Sequence, residues 1–241
     1  DVYTTWQRSH GDATNSRYSS LTQINRDTVA ALTVAWEYHG GAGAGNIQCN
    51  PIVVGDTLYA PIPGDYLVAI DASTGKERWR FKARGQPARR GLLFWKGTDT
   101  HPARILFTAG DTLYALDPAS GTPITTFGKN GTVTISPSAV AGAIFEDILV
   151  LPGLAKDVFG YDVITGELRW TFHTIPEPGE FGHDTWSTRT EGANCWGGMA
   201  MDEARGIAYV STGSPKPNFN GTRHHGSNLF ANCVIALAAR T

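Results

Sequence analysis

The stretch Leu67–Trp79 reads LVAIDASTGKERW, and a close copy, VFGYDVITGELRW, stands at Val158–Trp170. A third copy, LYALDPASG, lies between them at Leu113–Gly121, so the aspartates recur at intervals of about 45 residues. A fourth begins with Val234 as VIALAART and carries Ala238 at the aspartate position. This period is typical of a β-propeller blade, the small antiparallel sheet that a propeller repeats around its axis.

Each copy has the chemistry of a β-hairpin that ends in an aromatic anchor. An apolar strand leads to an Asp-x-x-Thr-Gly turn, in which Gly75 can take a positive φ and Asp71 can accept hydrogen bonds from turn amides. The second strand ends in Trp79, whose ring can reach a neighbouring sheet. Phe127 is the nearest aromatic residue to this position in the third copy. We therefore predict an all-β propeller of four-stranded antiparallel blades.

The amino-terminal region departs from the repeat. Leu32–Tyr38, LTVAWEY, follows no Asp-x-x-Thr-Gly turn, and we interpret it as a lone outer strand that closes the ring. One short helix is predicted at Asn25–Leu32, with its first residue as the N-cap. The predicted organisation is one partial propeller domain, 1–241, with an amino-terminal segment, 1–46, and about four blades, 47–241. The incomplete last copy favours part of a larger ring over a closed four-bladed ring.

Composition and charge exclude several classes of function. Lys+Arg 20 against Asp+Glu 22 give a formal net charge of -2, too balanced for the basic surface that neutralises nucleic-acid phosphates. No apolar run approaches the roughly 20 residues that span a bilayer. Cys49, Cys195 and Cys233 lack the spacing of a zinc or iron–sulfur site. Their pairing stays open between one disulfide and three free thiols.

The repeated Asp-x-x-Thr-Gly-x-x-x-Trp unit resembles the tryptophan-docking motif of quinoprotein alcohol and glucose dehydrogenases, which are eight-bladed propellers. The resemblance covers essentially the whole chain, including SRYSSLTQIN at Ser16–Asn25, RGLLFW at Arg90–Trp95 and FHTIPEPGE at Phe172–Glu180. The chain looks like the amino-terminal half of the catalytic domain in the glucose-dehydrogenase-like branch. Non-enzymatic propellers such as the outer-membrane assembly lipoprotein resemble the same repeat, so a protein-interaction scaffold is the alternative.

The resemblance implies pyrroloquinoline quinone (PQQ) and calcium as cofactors. PQQ is a planar tricarboxylate with an ortho-quinone, so its pocket needs fixed cations, a flat aromatic floor and a hard divalent metal. Arg90 matches the family's arginine that binds the cofactor, and Trp196 matches the tryptophan beneath it. Gln48 stands where alcohol-oxidising relatives carry a glutamate. Asn194 stands where relatives often place a hydroxyl residue.

The calcium part of this resemblance is less complete. Ser214 occupies the position where alcohol-oxidising relatives use an asparagine ligand, and a hydroxyl is a weaker ligand. The loop Pro152–Lys156 has no carboxylate, and Asp157 only follows it. RGQP at Arg84–Pro87 replaces the adjacent cysteines of methanol-oxidising relatives, which disfavours methanol as a substrate.

The implied reaction is hydride transfer from an alcohol or an aldose to the quinone, with ubiquinone or a cytochrome as electron acceptor. Relatives place the aspartate base in later blades, so no catalytic residue is expected in this chain and the base is expected beyond Thr241. We therefore expect the 241-residue chain to bind the cofactor weakly or not at all and to turn over no substrate. The resemblance also implies a periplasmic location, with membrane association only through regions outside this chain. A sugar-binding propeller without a redox role is a third alternative.

Overall fold

The computed structural model describes most of the chain, without the side chains of Val2 and Arg223. The described residues are 2–41, 48, 50–87, 90–187, 191–217 and 220–240. Cys195 and Cys233 are both free thiols, so they form no disulfide with each other. Cys49 lies outside the described residues. No helix in the described ranges is long and apolar enough to cross a membrane.

The strands in the described residues form four antiparallel sheets that follow one another in the chain. Sheet 1 contains β1–β4 (Ile52–Val54, Thr57–Ile62, Tyr66–Asp71, Glu77–Lys82). Sheet 2 contains β5–β8 (Leu93–Trp95, Arg104–Ala109, Thr112–Leu116, Thr132–Thr134). Sheet 3 contains β9–β12 (Ala143–Phe145, Ile148–Pro152, Val158–Asp162, Leu168–Phe172), and sheet 4 contains β13–β15 (Met199–Asp202, Ile207–Ser211, Val234–Ala238).

The all-β propeller architecture is thus confirmed. The first strand of each sheet lies innermost, because β1 contacts β5, β5 contacts β9 and β9 contacts β13. Sheet 4 has three strands in the described residues, in agreement with the incomplete fourth copy of the repeat. The fourth copy of the repeat ends at Thr241, before the residues that would correspond to β4 and β12.

The hydrophobic core lies between consecutive sheets. Every residue of β6 is buried, because both faces of this inner strand are covered. The outer strand β4 alternates exposed and half-buried residues, so only one of its faces packs. Three apolar clusters fill the interfaces between sheets 1 and 2, 2 and 3, and 3 and 4, and they include Ile52, Leu67 and Phe107, then Leu113, Phe127 and Tyr161, then Val150, Met201 and Val210.

The amino-terminal segment crosses the inner strands of three sheets. Trp6 pairs with Val53 beside sheet 1, and Arg8 pairs with Leu93 of sheet 2. Further along, the Ala13 carbonyl accepts a hydrogen bond from the Met201 N–H of sheet 4. This route brings residues 6–17 towards the inner ends of the sheets, where the predicted site residues lie.

Aspartate turns join the strands as the repeat predicts. In sheet 1 the Asp71 Oδ1 accepts hydrogen bonds from the Ser73 and Thr74 N–H groups at 3.1 and 2.9 Å. The guanidinium of Arg78, together with the turn donors, holds the pKa of Asp71 far below its usual value. Gly75 closes the turn with a φ of 73°. The turn is thus built for a carboxylate and a glycine at these two positions.

Two indole rings join one sheet to the next, and a third, Trp36, joins the amino-terminal segment to sheet 1. Nε1 of Trp36, Trp79 and Trp170 donates to the Ala72, Pro118 and Ala239 carbonyls at 3.1, 2.9 and 2.9 Å. In all three cases the acceptor carbonyl belongs to the residue directly after the aspartate position in the copy that the indole contacts. The Trp79 ring also covers the turn glycine of sheet 2, where a Cβ on Gly121 would lie 2.6 Å from the ring. Glycine is therefore required both for the turn and for the ring.

Phe127 replaces the indole at the joint between sheets 2 and 3, and Arg104 supplies the missing donor. Phe127 is fully buried against Gly166, but its ring has no N–H. The Arg104 guanidinium, 1% exposed, donates from Nη1 to the Val163 and Ile164 carbonyls at 2.9 and 3.0 Å. Val163 directly follows the aspartate of its copy. The guanidinium therefore donates to the same carbonyl position that an indole N–H reaches at the other joints.

Two secondary-structure predictions for the amino-terminal region need correction. The predicted helix Asn25–Leu32 is reduced to a 3-10 turn at Val29–Ala31. Asn25 Oδ1 accepts from the Asp27 and Thr28 N–H groups as a cap would, but no residue of the turn is buried, so packing does not stabilise further turns. Other 3-10 turns lie at Val2–Thr4, His183–Thr185 and Gly221–Arg223. Residues 32–38 form no strand, since no described strand lies alongside to accept their hydrogen bonds. Closure of a ring by this segment stays a prediction.

Replacing Trp170 with Phe tests the indole joints. The buried Ala239 carbonyl loses its donor, so we expect the free energy of unfolding to fall by about 1–3 kcal/mol in urea denaturation. Trp196→Phe is the matched control, because Trp196 is exposed, and it should change stability by less than about 0.5 kcal/mol. Equal losses in both variants would contradict the role of the indole N–H.

A double-mutant cycle tests whether Arg104 takes the place of an indole at the joint between sheets 2 and 3. We expect Arg104→Met to lower the free energy of unfolding by about 2 kcal/mol, because buried carbonyls lose their donor. Phe127→Trp alone should destabilise by overpacking a fully buried position. In the double variant the new indole can occupy the vacated space and donate to the Val163 carbonyl. The loss of free energy of unfolding should therefore be about 1 kcal/mol smaller than the sum of the two single losses. Additive losses would show that Arg104 does not stand in for an indole.

Candidate functional site

Close backbone packing fixes the position of Arg90 at the inner end of sheet 2. Arg90 forms a parallel bridge with Val140. A Cβ on the next residue, Gly91, would lie 2.0 Å from the Ala141 nitrogen, so only glycine permits this approach. The Asn50 Nδ2 also donates to the Arg90 carbonyl at 3.3 Å. The backbone that carries the guanidinium is therefore held from two sides.

The Arg90 guanidinium joins two other predicted residues, Gln48 and Trp196. Arg90 Nε donates to Gln48 Oε1 at 2.9 Å, and Nη1 donates to the Trp196 carbonyl at 3.2 Å. The guanidinium carbon lies 5.5 Å from the centre of the Trp196 ring, a cation–π distance. No carboxylate in the described parts of the chain pairs with Arg90. Its positive charge is thus held in place without neutralisation.

Trp196 presents its ring to solvent. The residue is 55% exposed, which is unusual for an indole inside a ring of packed sheets. Gly197 and Gly198 follow it, and Gly198 has a φ of 95° that favours glycine. A Cβ on Gly198 would lie 3.1 Å from the His10 ring. The glycines let the backbone lie close to its neighbours while the indole stays open to a flat ligand.

Two cavities share this arginine and this indole. One has a volume of about 390 Å³ and is lined by Gln48, Gln86, Pro87, Arg90, Ser138, Ala139, Val140 and Trp196. The other has a volume of about 340 Å³ and is lined by His10, Arg17, Gln48, Asn50, Arg90, Val140, Trp196, Gly197 and Gly198. Both volumes suit a small ligand. A larger cavity of about 640 Å³ lies between the amino-terminal segment and sheet 4, but it contains none of the predicted site residues.

Asn194 lies beside this group but does not line either cavity. Its Nδ2 donates to the Leu154 carbonyl at 2.7 Å, which ties the segment to the loop after β10. The Asn194 carbonyl accepts from the Gly213 N–H at 2.9 Å. A Cβ on Gly213 would lie 3.1 Å from Asn194 Oδ1 and 3.5 Å from Trp196 Nε1. The structure therefore brings Gln48, Arg90 and Trp196 together and gives Asn194 a supporting position.

The predicted metal ligand Ser214 is engaged elsewhere. Its Oγ donates to Asn232 Oδ1 at 3.0 Å. The nearest carboxylate along the loop, Asp157, is buried and accepts from the Thr174 N–H at 3.1 Å. Burial raises the pKa of Asp157, which disfavours its charged form. No group of three His, Cys, Asp or Glu side chains with metal-binding geometry occurs in the described residues. These residues do not fit a calcium site by themselves.

Sequence reasoning missed His10, Arg17 and Asn50 in the second cavity. Asn50 Nδ2 lies 3.4 Å from His10 Nε2. Burial, with the nearby charge of Arg17, lowers the pKa of His10 and favours its neutral form. These residues lie outside the repeat, so its period could not place them. The nearest signal was the position of Asn50 two residues after Gln48.

Comparisons with known proteins identify the family. A family model for the β-propeller domain of PQQ glucose/ethanol/alcohol dehydrogenases matches residues 6–144 and 138–241. Quinoprotein glucose dehydrogenase A of Acinetobacter calcoaceticus is 28% identical over 93% of this chain and 35% of its own length. Quinohemoprotein alcohol dehydrogenase of Comamonas testosteroni is 28% identical over 96% of this chain and 37% of its own length.

A solved structure shows the same fold. The quinohemoprotein alcohol dehydrogenase of Pseudomonas putida HK5 superposes with a TM-score of 0.84 and 23% identity, over 98% of this chain and 39% of that chain. The chain spans a little over a third of the length of these curated relatives. Because the family model covers nearly every residue, the chain belongs to the β-propeller family of PQQ-dependent glucose, ethanol and alcohol dehydrogenases.

Proposed function

We propose that this chain forms one side of the PQQ pocket of a dehydrogenase that oxidises an alcohol or an aldose. The observation that carries the proposal is Arg90, an unneutralised guanidinium held between Gln48 and the exposed ring of Trp196. The guanidinium can bind a carboxylate or a quinone oxygen of PQQ, and the indole can lie against its flat rings. The cavity of about 390 Å³ beside these groups has room for a small planar ligand.

The chain's own residues would bind and orient the cofactor. Arg90 keeps Nη2 available for a ligand, because its hydrogen bonds to Gln48 and Trp196 use Nε and Nη1. Gln48 orients the guanidinium by accepting from Nε, and its neutral amide adds no competing negative charge. PQQ, when bound, supplies the redox chemistry as a two-electron acceptor. The residue that takes the substrate proton belongs, on this proposal, to sheets outside this chain.

The remaining assignments follow the relatives. The names of two further relatives specify cytochrome c or a quinone as electron acceptor, and we propose one of these for this protein. We also propose a periplasmic location and tryptophan-docking motifs at the indole joints. A calcium ion would need ligands other than Ser214 and Asp157, because Ser214 Oγ is hydrogen-bonded to Asn232 and Asp157 accepts from the Thr174 N–H.

A non-catalytic propeller that serves as a protein-interaction scaffold is the second candidate. Such a protein would explain the sheets and the indole joints equally well. It would give no reason for an unneutralised arginine stacked on an exposed tryptophan at the inner ends of the sheets. The arrangement therefore supports the cofactor pocket, and the two candidates differ in whether the chain binds PQQ.

PQQ titration tests the pocket. We expect weak but saturable quenching of tryptophan fluorescence, because Trp196 would lie against the cofactor. Arg90→Ala should weaken binding by at least about tenfold, the loss expected for a charge-assisted hydrogen bond. Arg84→Ala, at an exposed position nearby, is the matched control and should bind as the unchanged chain does. Equal loss in both variants, or no saturable quenching by a full-length version of the protein, would favour the scaffold.

Dye reduction tests where the catalytic base lies. With added PQQ, calcium, an alcohol or glucose, and an artificial electron acceptor, we expect no turnover by the 241-residue chain. The reason is that none of the described residues that line the cavity beside Arg90 has a carboxylate that could take the substrate proton. A full-length quinoprotein dehydrogenase assayed in parallel serves as the positive control. Robust turnover by this chain would overturn the assignment of the base to other sheets.

A further inference from the structure

His10 lies between the two segments that carry the candidate site. It belongs to the amino-terminal segment and is half-buried. On one side of the ring, Asn50 Nδ2 lies 3.4 Å from His10 Nε2 and donates to the Arg90 carbonyl at 3.3 Å. On the other side, a Cβ on Gly198 would lie 3.1 Å from His10 Cε1. The imidazole is therefore connected through Asn50 to the backbone of Arg90, and it packs against the backbone that follows Trp196.

Asn15 extends this connection to sheet 4. Its side chain is hydrogen-bonded to His10, and its Nδ2 donates to the Met199 carbonyl at 2.6 Å. Met199 is the first residue of β13, directly after the segment that carries the exposed indole. A continuous set of hydrogen bonds thus runs from the Arg90 carbonyl through Asn50, His10 and Asn15 to Met199. It joins sheets 2 and 4 at their inner ends.

The directions of these hydrogen bonds require a neutral imidazole. Asn50 Nδ2 has two N–H groups, and one of them donates to Arg90. The other can donate to His10 Nε2 only while this nitrogen carries no proton, so the ring proton lies on Nδ1. Burial, with the nearby charge of Arg17, lowers the pKa of His10. The neutral form that the hydrogen bonds require is thus the form expected at neutral pH.

Most charges around the imidazole are positive. The charged side chains on the elements packed around it are Arg8, Asp12 and Arg17 of the amino-terminal segment, Arg90 beside sheet 2 and Glu203 of sheet 4. Glu203 pairs with Arg8, and Asp12 accepts hydrogen bonds within its own turn. Among the described residues that line the spaces around His10, those beside sheets 1 and 3 have no titratable side chain. A proton on His10 would therefore add to the charge of Arg17 and Arg90, which favours the neutral ring.

We propose that neutral His10 is a positioning residue of the candidate site, which holds the Arg90 and Trp196 segments in the arrangement that binds the cofactor. This role rests on the proposed PQQ pocket and adds an acid limit to it. When Nε2 is protonated, it no longer accepts from Asn50. A rotated Asn50 amide accepts from Nε2–H, but its oxygen then faces the Arg90 carbonyl. In either orientation one of the two hydrogen bonds of Asn50 is lost, and the support for Arg90 weakens.

PQQ titration of a full-length version of the protein from about pH 8 to about pH 5 tests this role. We expect the affinity to fall about twofold to tenfold with a midpoint below about pH 6.5, the loss expected for one hydrogen bond. His10→Gln keeps an acceptor but does not titrate, so it should bind as the unchanged protein does at neutral pH and should not weaken in acid. His10→Phe keeps a ring without an acceptor and should bind weakly at both ends of the range.

His39→Gln is the matched control, because the His39 side chain is 87% exposed and lines neither cavity, and it should keep the full pH dependence. Circular dichroism of each variant should show unchanged strand content. An affinity that rises in acid, or a fall that persists in His10→Gln, would overturn the positioning role and leave the PQQ pocket standing. A full-length protein that binds no PQQ at any pH would instead overturn the proposed function, and this role with it.

A second measurement needs no cofactor. Nitrogen-15 NMR of the chain labelled at histidine should show His10 as a neutral imidazole with its proton on Nδ1 at neutral pH, and the signal should be absent in His10→Gln. His10→Gln should also remove an acid-induced change in tryptophan emission that Trp196→Phe removes as well. A charged ring, or a neutral ring with its proton on Nε2, would contradict the role of His10 whether or not PQQ binds.

Discussion

The hydrogen bond from an indole N–H to a carbonyl of the next sheet is the interaction on which this structure depends. Each small sheet is too thin to bury its own faces, so stability comes from the apolar layers between sheets. The polar joint fixes how neighbouring sheets are placed at their outer ends. The turn glycine makes room for the ring, as Gly121 does for Trp79. The Asp-x-x-Thr-Gly-x-x-x-Trp motif and the packing of neighbouring sheets thus follow from the same contact between an indole and a turn.

The candidate site depends on a second constraint, at the inner ends of the sheets. Gly91 lets the backbone at Arg90 approach Ala141, and this contact places the guanidinium beside Trp196, more than a hundred residues later in the chain. The sheets act as a rigid frame, and the loops at their inner ends carry the groups that can bind a ligand. Because packing and neutral groups hold Arg90, its charge stays available for the ligand that we propose for this pocket.

The repeat in the sequence was enough to predict the sheets, the aspartate turns and the indole joints, because each depends on local chemistry within one copy. Arg90, Trp196 and Gln48 were also predicted together, although only the family resemblance linked them. The period could not place His10 or Arg17, since the route of the amino-terminal segment depends on tertiary contacts. The helix at Asn25–Leu32 does not extend beyond a 3-10 turn although Asn25 caps its start, because none of the turn's residues is buried and no packing face stabilises it.

The joint between sheets 2 and 3 shows that this position requires a hydrogen-bond donor, which need not be an indole. At the other described joints the aromatic ring itself carries the donor. Here the ring of Phe127 fills the space and the guanidinium of Arg104 donates the hydrogen bond. Two positions 23 residues apart in the chain are therefore coupled. A lineage could exchange tryptophan for phenylalanine at this joint only alongside a compensating donor, so the pair should evolve as a unit.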